Sequence, residues 1–195
     1  MQSLLHTGLL KLPSTSRFEW SASLLLRLYL APIFLQAGWT KLLAFNDTVL
    51  WFEHSLNLPL PTLLTVLALG SEIIGGVFLL LGLGVRLIAL PLMLVMLVAA
   101  FLVHFENGWL AISDSSSWLA NQQVLDAAEK KQRIIAILQE HGNYEWLTSN
   151  GTVTILNNGV EFAITYFIML LALFFLGAGR YVSLDYWLQQ RLHSH

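Results

Sequence analysis

Four stretches of the chain are apolar over the thickness of a bilayer: residues 22–45, 61–83, 86–105 and 159–178. A helix needs about 20 such residues to cross roughly 30 Å of hydrocarbon. Inside that layer a backbone must satisfy its own N–H and C=O groups, so runs of this kind fold as helices. The sequence therefore predicts an all-α integral membrane protein. Charged residues make up only 11% of the 195 positions, against 56% hydrophobic, where a soluble domain carries about 25% charge. The net charge of −2 is uninformative about nucleic acid, but no Lys/Arg-rich block occurs, so no nucleic-acid partner is expected and membrane lipid is the surrounding medium.

The connections order these spans. "GLGVR" (82–86) is a tight turn, so the second and third spans must run antiparallel as neighbours, and the simplest arrangement is a four-transmembrane-helix up-down antiparallel bundle forming one domain over 1–195. "NDTVLWFEHSLNLPLP" (46–61) reads as the connection between the first two spans, with Pro59 and Pro61 suited to starting a helix. Residues 106–158 form a helical insertion between the third and fourth spans, long for a bundle connection. In it, serines 115–117 are expected to cap an amphipathic helix that stops at Gly142, lying as a lid over the outer helix ends. "YEWLTSNGTVTIL" is then either a hairpin about Asn150–Gly151 or a loop. Lys11 and Arg17 precede the first span, which is too long for a signal-peptide core and carries no A-x-A cleavage pattern; it reads as retained. With Arg86, Arg180 and Arg191 they mark one side, placing both termini in the cytoplasm and the insertion outside.

Ionisable groups inside spans are site candidates. Here they are Arg27, Lys41, Glu72, His104 and Glu161. Arg27 and Lys41 share a helical stripe with Ala31, Phe34 and Gly38 between them, roughly 21 Å apart along the axis. Glu72 falls about 16 Å below the outer end of its span. Lys41, His104 and Glu161 fall at the outer level above it, with Gln36, Thr165 and Tyr166 able to extend the network. Glu72 requires a cation, and Arg27 and Lys41 both qualify. Two readings stand: buried ion pairs that fix helix register, or a wet polar pocket, open outward, that binds or protonates a small molecule. Ser71, Gly75, Gly76, Gly82 and Gly84 give a small surface for close helix packing.

The chain has no cysteine, so thiol relays, iron–sulfur clusters and Cys-zinc sites are excluded. No other metal site is expected. A b-type haem would need a second axial histidine, and no span besides that of His104 has one.

"RLYLAPIFLQAGWTKL" (27–42), "LPLPTLLTVLALGSEIIGGVFLLLGLGVRLIAL" (58–90) and "GAGRYVSLDYWL" (177–188) together resemble the DoxX family of small bacterial and archaeal membrane proteins. The resemblance covers the first three helices and the end of the fourth. It marks Arg27, Gly38, Lys41, Glu72, Gly82, Arg86 and Asp185 as motif positions, and Glu161 stands where relatives often carry an acid. It implies a four-helix protein of the bacterial inner (plasma) membrane and, for some relatives, a place in quinone-linked sulfur oxidation or oxidative-stress complexes. The insertion departs from the compact family pattern.

Residues 183–192 are expected to form an interfacial helix with Tyr186 and Trp187 at headgroup level, Asp185 accepting a bond from Arg180 or Arg27. The function expected first is an oxidoreductase component rather than a complete enzyme, with quinone as the candidate ligand. Lys41 or His104 would bond a ligand carbonyl and Glu72 or Glu161 would move protons. Such a chain needs a soluble or membrane redox partner. The alternatives are a small-solute or proton transporter, which would have to be a homo-oligomer, and a scaffold docking a soluble partner on the insertion.

Overall fold

The structure, a computed structural model, describes residues 19–193. Lys11 and Arg17, used above for orientation, lie outside the described residues. Helix α1 covers Glu19–Leu43, α2 Phe45–His54, α3 Pro61–Leu81 and α4 Val85–Val98. α4 runs on through a π-helical turn, Ala99–His104, and a 3-10 turn, Phe105–Asn107. After it come α5 (Gln122–His141), α6 (Tyr144–Leu147), α7 (Glu161–Leu176) and α8 (Leu184–His193). Among the described residues there is no strand, only an isolated bridge between Ile112 and Leu156.

Three helices, Trp20–Leu43, Pro61–Leu81 and Val85–Asn107, are long and apolar enough to cross a membrane. α7 is equally apolar but shorter, with 16 residues. α1, α3, α4 and α7 share one core, built on Leu30, Phe34, Leu79, Ala89, Leu92 and Leu170. Their outward faces carry exposed Leu25, Leu87, Leu94 and Phe175, a surface that aggregates in water and is at home in lipid.

Apolar side chains gain nothing by leaving lipid for one another, so close backbone approach has to hold such helices together. α1 and α3 show it. A Cβ on Gly38 would stand 2.7 Å from Ile73 Cγ1 and 3.1 Å from Glu72 Cβ. Only glycine lets α3 come this near, and that proximity sets the site described below.

Several local expectations need correction. Most of the 46–61 connection is the helix α2, whose Phe45, Val49 and Phe52 recur at helical spacing and whose Phe52 is buried. The serines 115–117 do not cap α5. Ser116 instead donates its backbone N–H and hydroxyl to Asp114 Oδ1, which holds that carboxyl below the usual carboxylate range. The cap is Asn121, whose Oδ1 accepts from Val124 N at 3.0 Å, and α5 stops at Gly142 in extended backbone. No hairpin forms about Asn150–Gly151, because 144–147 wind into a helical turn capped by Asn143.

The strand-like contacts occur instead at the neck of the insertion, where its two ends run side by side. Ser113 N donates to Ile155 O, and Asn157 N and Asn158 N both donate to Ala111 O. Asn157 Nδ2 donates to the carbonyls of Asn107 and Leu110, each at 2.7 Å. Replacing Asn121 with alanine removes the cap and is expected to lower the local stability of α5 by about 1 kcal/mol. Faster amide exchange confined to residues 122–125, with the spans unchanged, is the result to look for.

Candidate functional site

Lys41 is one turn beyond Gly38 on α1, and Glu72 lies mid-way down α3. Because the two helices touch at Gly38, Lys41 Nζ reaches both carboxylate oxygens of Glu72, at 2.8 Å each. The carboxylate is buried at 2% exposure, while the lysine side chain keeps 25%. Of the two cations expected for Glu72, the structure selects Lys41.

Arg27 is elsewhere. It is fully buried at the opposite end of α1, donating from Nη2 to Val182 O at 2.9 Å and from Nη1 to Leu79 O at 3.4 Å. Its Nε has no partner. Nearly four helical turns separate it from Lys41, roughly 21 Å, so no rotamer brings it to Glu72. Around it Ser23 Oγ donates to Gly177 O at 2.6 Å, and Gly82 adopts φ +65°. Asp185 receives the backbone N–H of Gly84 at 2.8 Å and of Val85 at 3.4 Å. Neither Arg180 nor Arg27 is its hydrogen-bond donor, contrary to expectation. The first N–H groups of α4 are orphans of helix geometry, and Gly84 at the cap position has no side chain to serve them. Arg86, the remaining motif cation, donates to Phe175 O at 3.2 Å.

Glu161 also leaves the expected cluster. It opens α7 and turns to the insertion neck, where its Oε2 accepts from Ala111 N at 2.9 Å. His104 ends the π turn, with Nδ1 2.9 Å from the backbone oxygen of Asn158.

Beside the Lys41–Glu72 pair lies a cavity of about 570 Å³, bounded by α1, α2, α3, the α4–π segment and α7. Lys41, Ser71, Glu72, His104, Tyr166 and the indole of Trp51 are its polar side chains, and the rest of the lining is apolar. The expected polar pocket is thus a largely hydrocarbon chamber with polar groups at a few points, and Arg27 and Glu161 take no part in it. No residue of the 106–158 insertion lines it, and Trp51 and Phe52 of α2 do. The helical spacing of Phe45, Val49 and Phe52 in "FNDTVLWFEH" is the signal that identifies this wall. Leu67, Leu94 and Leu102 line the cavity and are also exposed, so its wall reaches the outer face of the α3–α4 pair.

The π turn accounts for much of one wall. With more than four residues per turn it aligns positions four and five apart, and Val98, Ala99, Leu102 and Val103 all face the chamber. Across from them Phe162 stacks on Tyr166, with centroids 6.2 Å apart and planes inclined by 9°. Among the described residues no group of three or more His, Asp or Glu side chains could hold a metal ion. Chemically the site offers an ammonium with one N–H beyond those engaged by Glu72, an imidazole and aromatic faces, all inside an apolar chamber.

No curated protein and no solved structure matches this chain. A family model does match, over residues 22–105, and its description is DoxX; the matched segment holds Lys41, Glu72 and His104 and stops before the insertion.

Proposed function

We propose, for a chain that residues 22–105 place in the DoxX family, that it is the quinone-holding component of a membrane redox complex. In this reading α1, α3, α4 and α7 stand across a bacterial inner membrane as an up-down bundle, with residues 106–158 outside and both termini in the cytoplasm. Arg86, Arg180 and Arg191 support that orientation, since cationic residues favour the cytoplasmic side. α7 is about 24 Å long by helical rise, so it would cross with the help of the residues that flank it.

The observation that carries the proposal is the lysine–carboxylate pair at the wall of an otherwise apolar chamber. Small-molecule sites are mostly apolar, with a few placed polar groups that fix orientation. A quinone carries such a pattern in reverse: a flat ring with carbonyl acceptors and a hydrocarbon tail. The remaining Lys41 N–H would donate to a carbonyl, Trp51, Phe162 and Tyr166 would take the ring, and the tail would leave along the exposed leucines of α3 and α4. Glu72 holds the ammonium in place through both carboxylate oxygens. With no cysteine in the chain, electrons would arrive through a partner subunit, and this protein's share is to bind and orient.

Purified protein in nanodiscs should quench saturably on titration with a short-tailed benzoquinone, read by tryptophan fluorescence. Ala99→Phe, which fills the chamber from the π turn, should weaken that binding about tenfold or more, a loss of ~1.4 kcal/mol or more. Linear, non-saturating quenching that is identical in the variant would mean simple partition into lipid and would end the proposal. Proton flux through proteoliposomes that depends on Glu72 and needs no quinone would favour the transporter reading instead.

A further inference from the structure

The geometry points to His104 as the group that selects a hydroxyl-bearing ligand in this chamber, that is, a phenol or hydroquinone over its oxidised or alkylated forms. The inference rests on the quinone-pocket reading and adds to it a preferred redox form and the residue responsible.

The argument starts from a hydrogen bond. His104 Nδ1 stands 2.9 Å from the main-chain oxygen of Asn158. A carbonyl oxygen only accepts, so the hydrogen must be on Nδ1. In the neutral imidazole Nε2 is then a lone pair, able to accept and unable to donate.

That carbonyl is held in place. Asn158 sits at φ +60°, a conformation unusual for a residue with a side chain. Its N–H is bonded to Ala111 O at 2.9 Å, and its oxygen also receives Asn107 Nδ2 at 3.1 Å. The insertion neck therefore fixes the tautomer of a ring that lines the chamber. Among the described residues nothing hydrogen-bonds Nε2.

Besides the hydroxyls of Ser71 and Tyr166, which can donate or accept, and Glu72, which Lys41 engages, the chamber presents two complementary polar points. Lys41 can only donate, and His104, through Nε2, can only accept. A quinone has two acceptor oxygens and no hydrogen to give, so it can receive from Lys41 and offers nothing to Nε2 of His104. A hydroquinone has hydroxyls that both accept and donate, so one oxygen can receive from Lys41 while a hydroxyl hydrogen goes to Nε2. In an apolar chamber a donor or acceptor left unpaired is penalised more than a made bond is rewarded, so the site favours the ligand that fills both. This role concerns binding and specificity; no electron transfer is assigned to His104.

The test titrates a short-tailed hydroquinone, kept reduced under anaerobic conditions, and its dimethyl ether into the nanodisc protein. Quenching lost in Trp51→Phe reports the chamber. Wild type should bind the hydroquinone about tenfold more tightly than the ether, the size of one neutral hydrogen bond in a dry site. His104→Phe should lose that preference while ether affinity stays within about twofold, and His104→Gln, which keeps an acceptor, should recover part of it.

A preference retained in His104→Phe, or absent in wild type while both compounds still saturate, overturns this inference and leaves the pocket standing. Failure of both compounds to saturate overturns the pocket reading with it. Should His104→Phe not fold, the ¹⁵N spectrum of histidine-labelled wild type decides. Nε2 of His104 should resonate as an unprotonated nitrogen and shift with the hydroquinone and not with the ether; a protonated Nε2 sinks the proposal.

Discussion

Lys41→Met is expected to destabilise the folded bundle by about 3–5 kcal/mol, because it strips the counter-charge from a buried carboxylate. Glu72 is 2% exposed and both its oxygens are bonded to Lys41 Nζ at 2.8 Å. With the ammonium gone the group must either stay charged in an apolar surround or take up a proton, and both raise the free energy of the folded state. Glu72→Gln should cost less, since Lys41 is a quarter exposed and its head can turn toward solvent or headgroups. The double substitution should be milder than Lys41→Met alone, because no orphaned charge remains. Unfolding in nanodiscs or mixed micelles, run as a double-mutant cycle, measures the difference. A Lys41→Met variant as stable as the double variant would show that the pair contributes no coupling, and that Glu72 is satisfied by other means.

Gly82→Ala should be the most damaging change at the opposite end of the bundle. Gly82 has φ +65°, and an added Cβ would overlap Arg27 Nη1 and come within 2.7 Å of Ser183 Cβ. The left-handed backbone alone costs an alanine about 1–2 kcal/mol. Displacing the buried guanidinium from the Val182 and Leu79 carbonyls adds about 1–3 kcal/mol for the groups left unpaired. Gly84→Ala is the natural control. Its φ is +57°, but its nearest neighbour would be Phe78 at 3.9 Å, so it should show the backbone cost with little clash. The C-terminal segment provides the readout. Asp185 caps the first N–H groups of α4, and release of α8 should expose Gly84 and Val85 to amide exchange and the 180–190 region to protease. Equal effects from the two alanines would mean that Arg27 accommodates the methyl group, and that the buried arginine does not hold this end together.

Both sites belong to one design. α1 carries a cation at each end of one stripe, and each cation meets α3 where a glycine makes room: Lys41 beside Gly38, Arg27 beside Gly82. The upper cation is paired with an acid and borders the chamber. The lower one is bonded to backbone carbonyls and ties in the chain after α7. Their chemical similarity in the sequence conceals a division between a cation at the chamber wall and a cation that clamps the chain end.

What the residues determined unaided is everything that depends on local hydropathy and backbone conformation. Three of the four expected spans as membrane-capable helices, the tight turn at 82–86, and the need of Glu72 for a cation all follow from side-chain transfer energies and allowed dihedral angles, which act within a turn or a span. Tertiary packing decided the rest. Gly38 lets α3 close on α1 and so gives Glu72 to Lys41; Asp185 turns to an uncapped helix end a hundred residues away; Glu161 is drawn to the insertion neck; and α2, rather than the insertion, walls the chamber. Each of these depends on which surfaces meet across long stretches of chain, and a buried polar group takes whichever partner the packed helices bring within about 3 Å, a choice that spacing along the sequence does not contain.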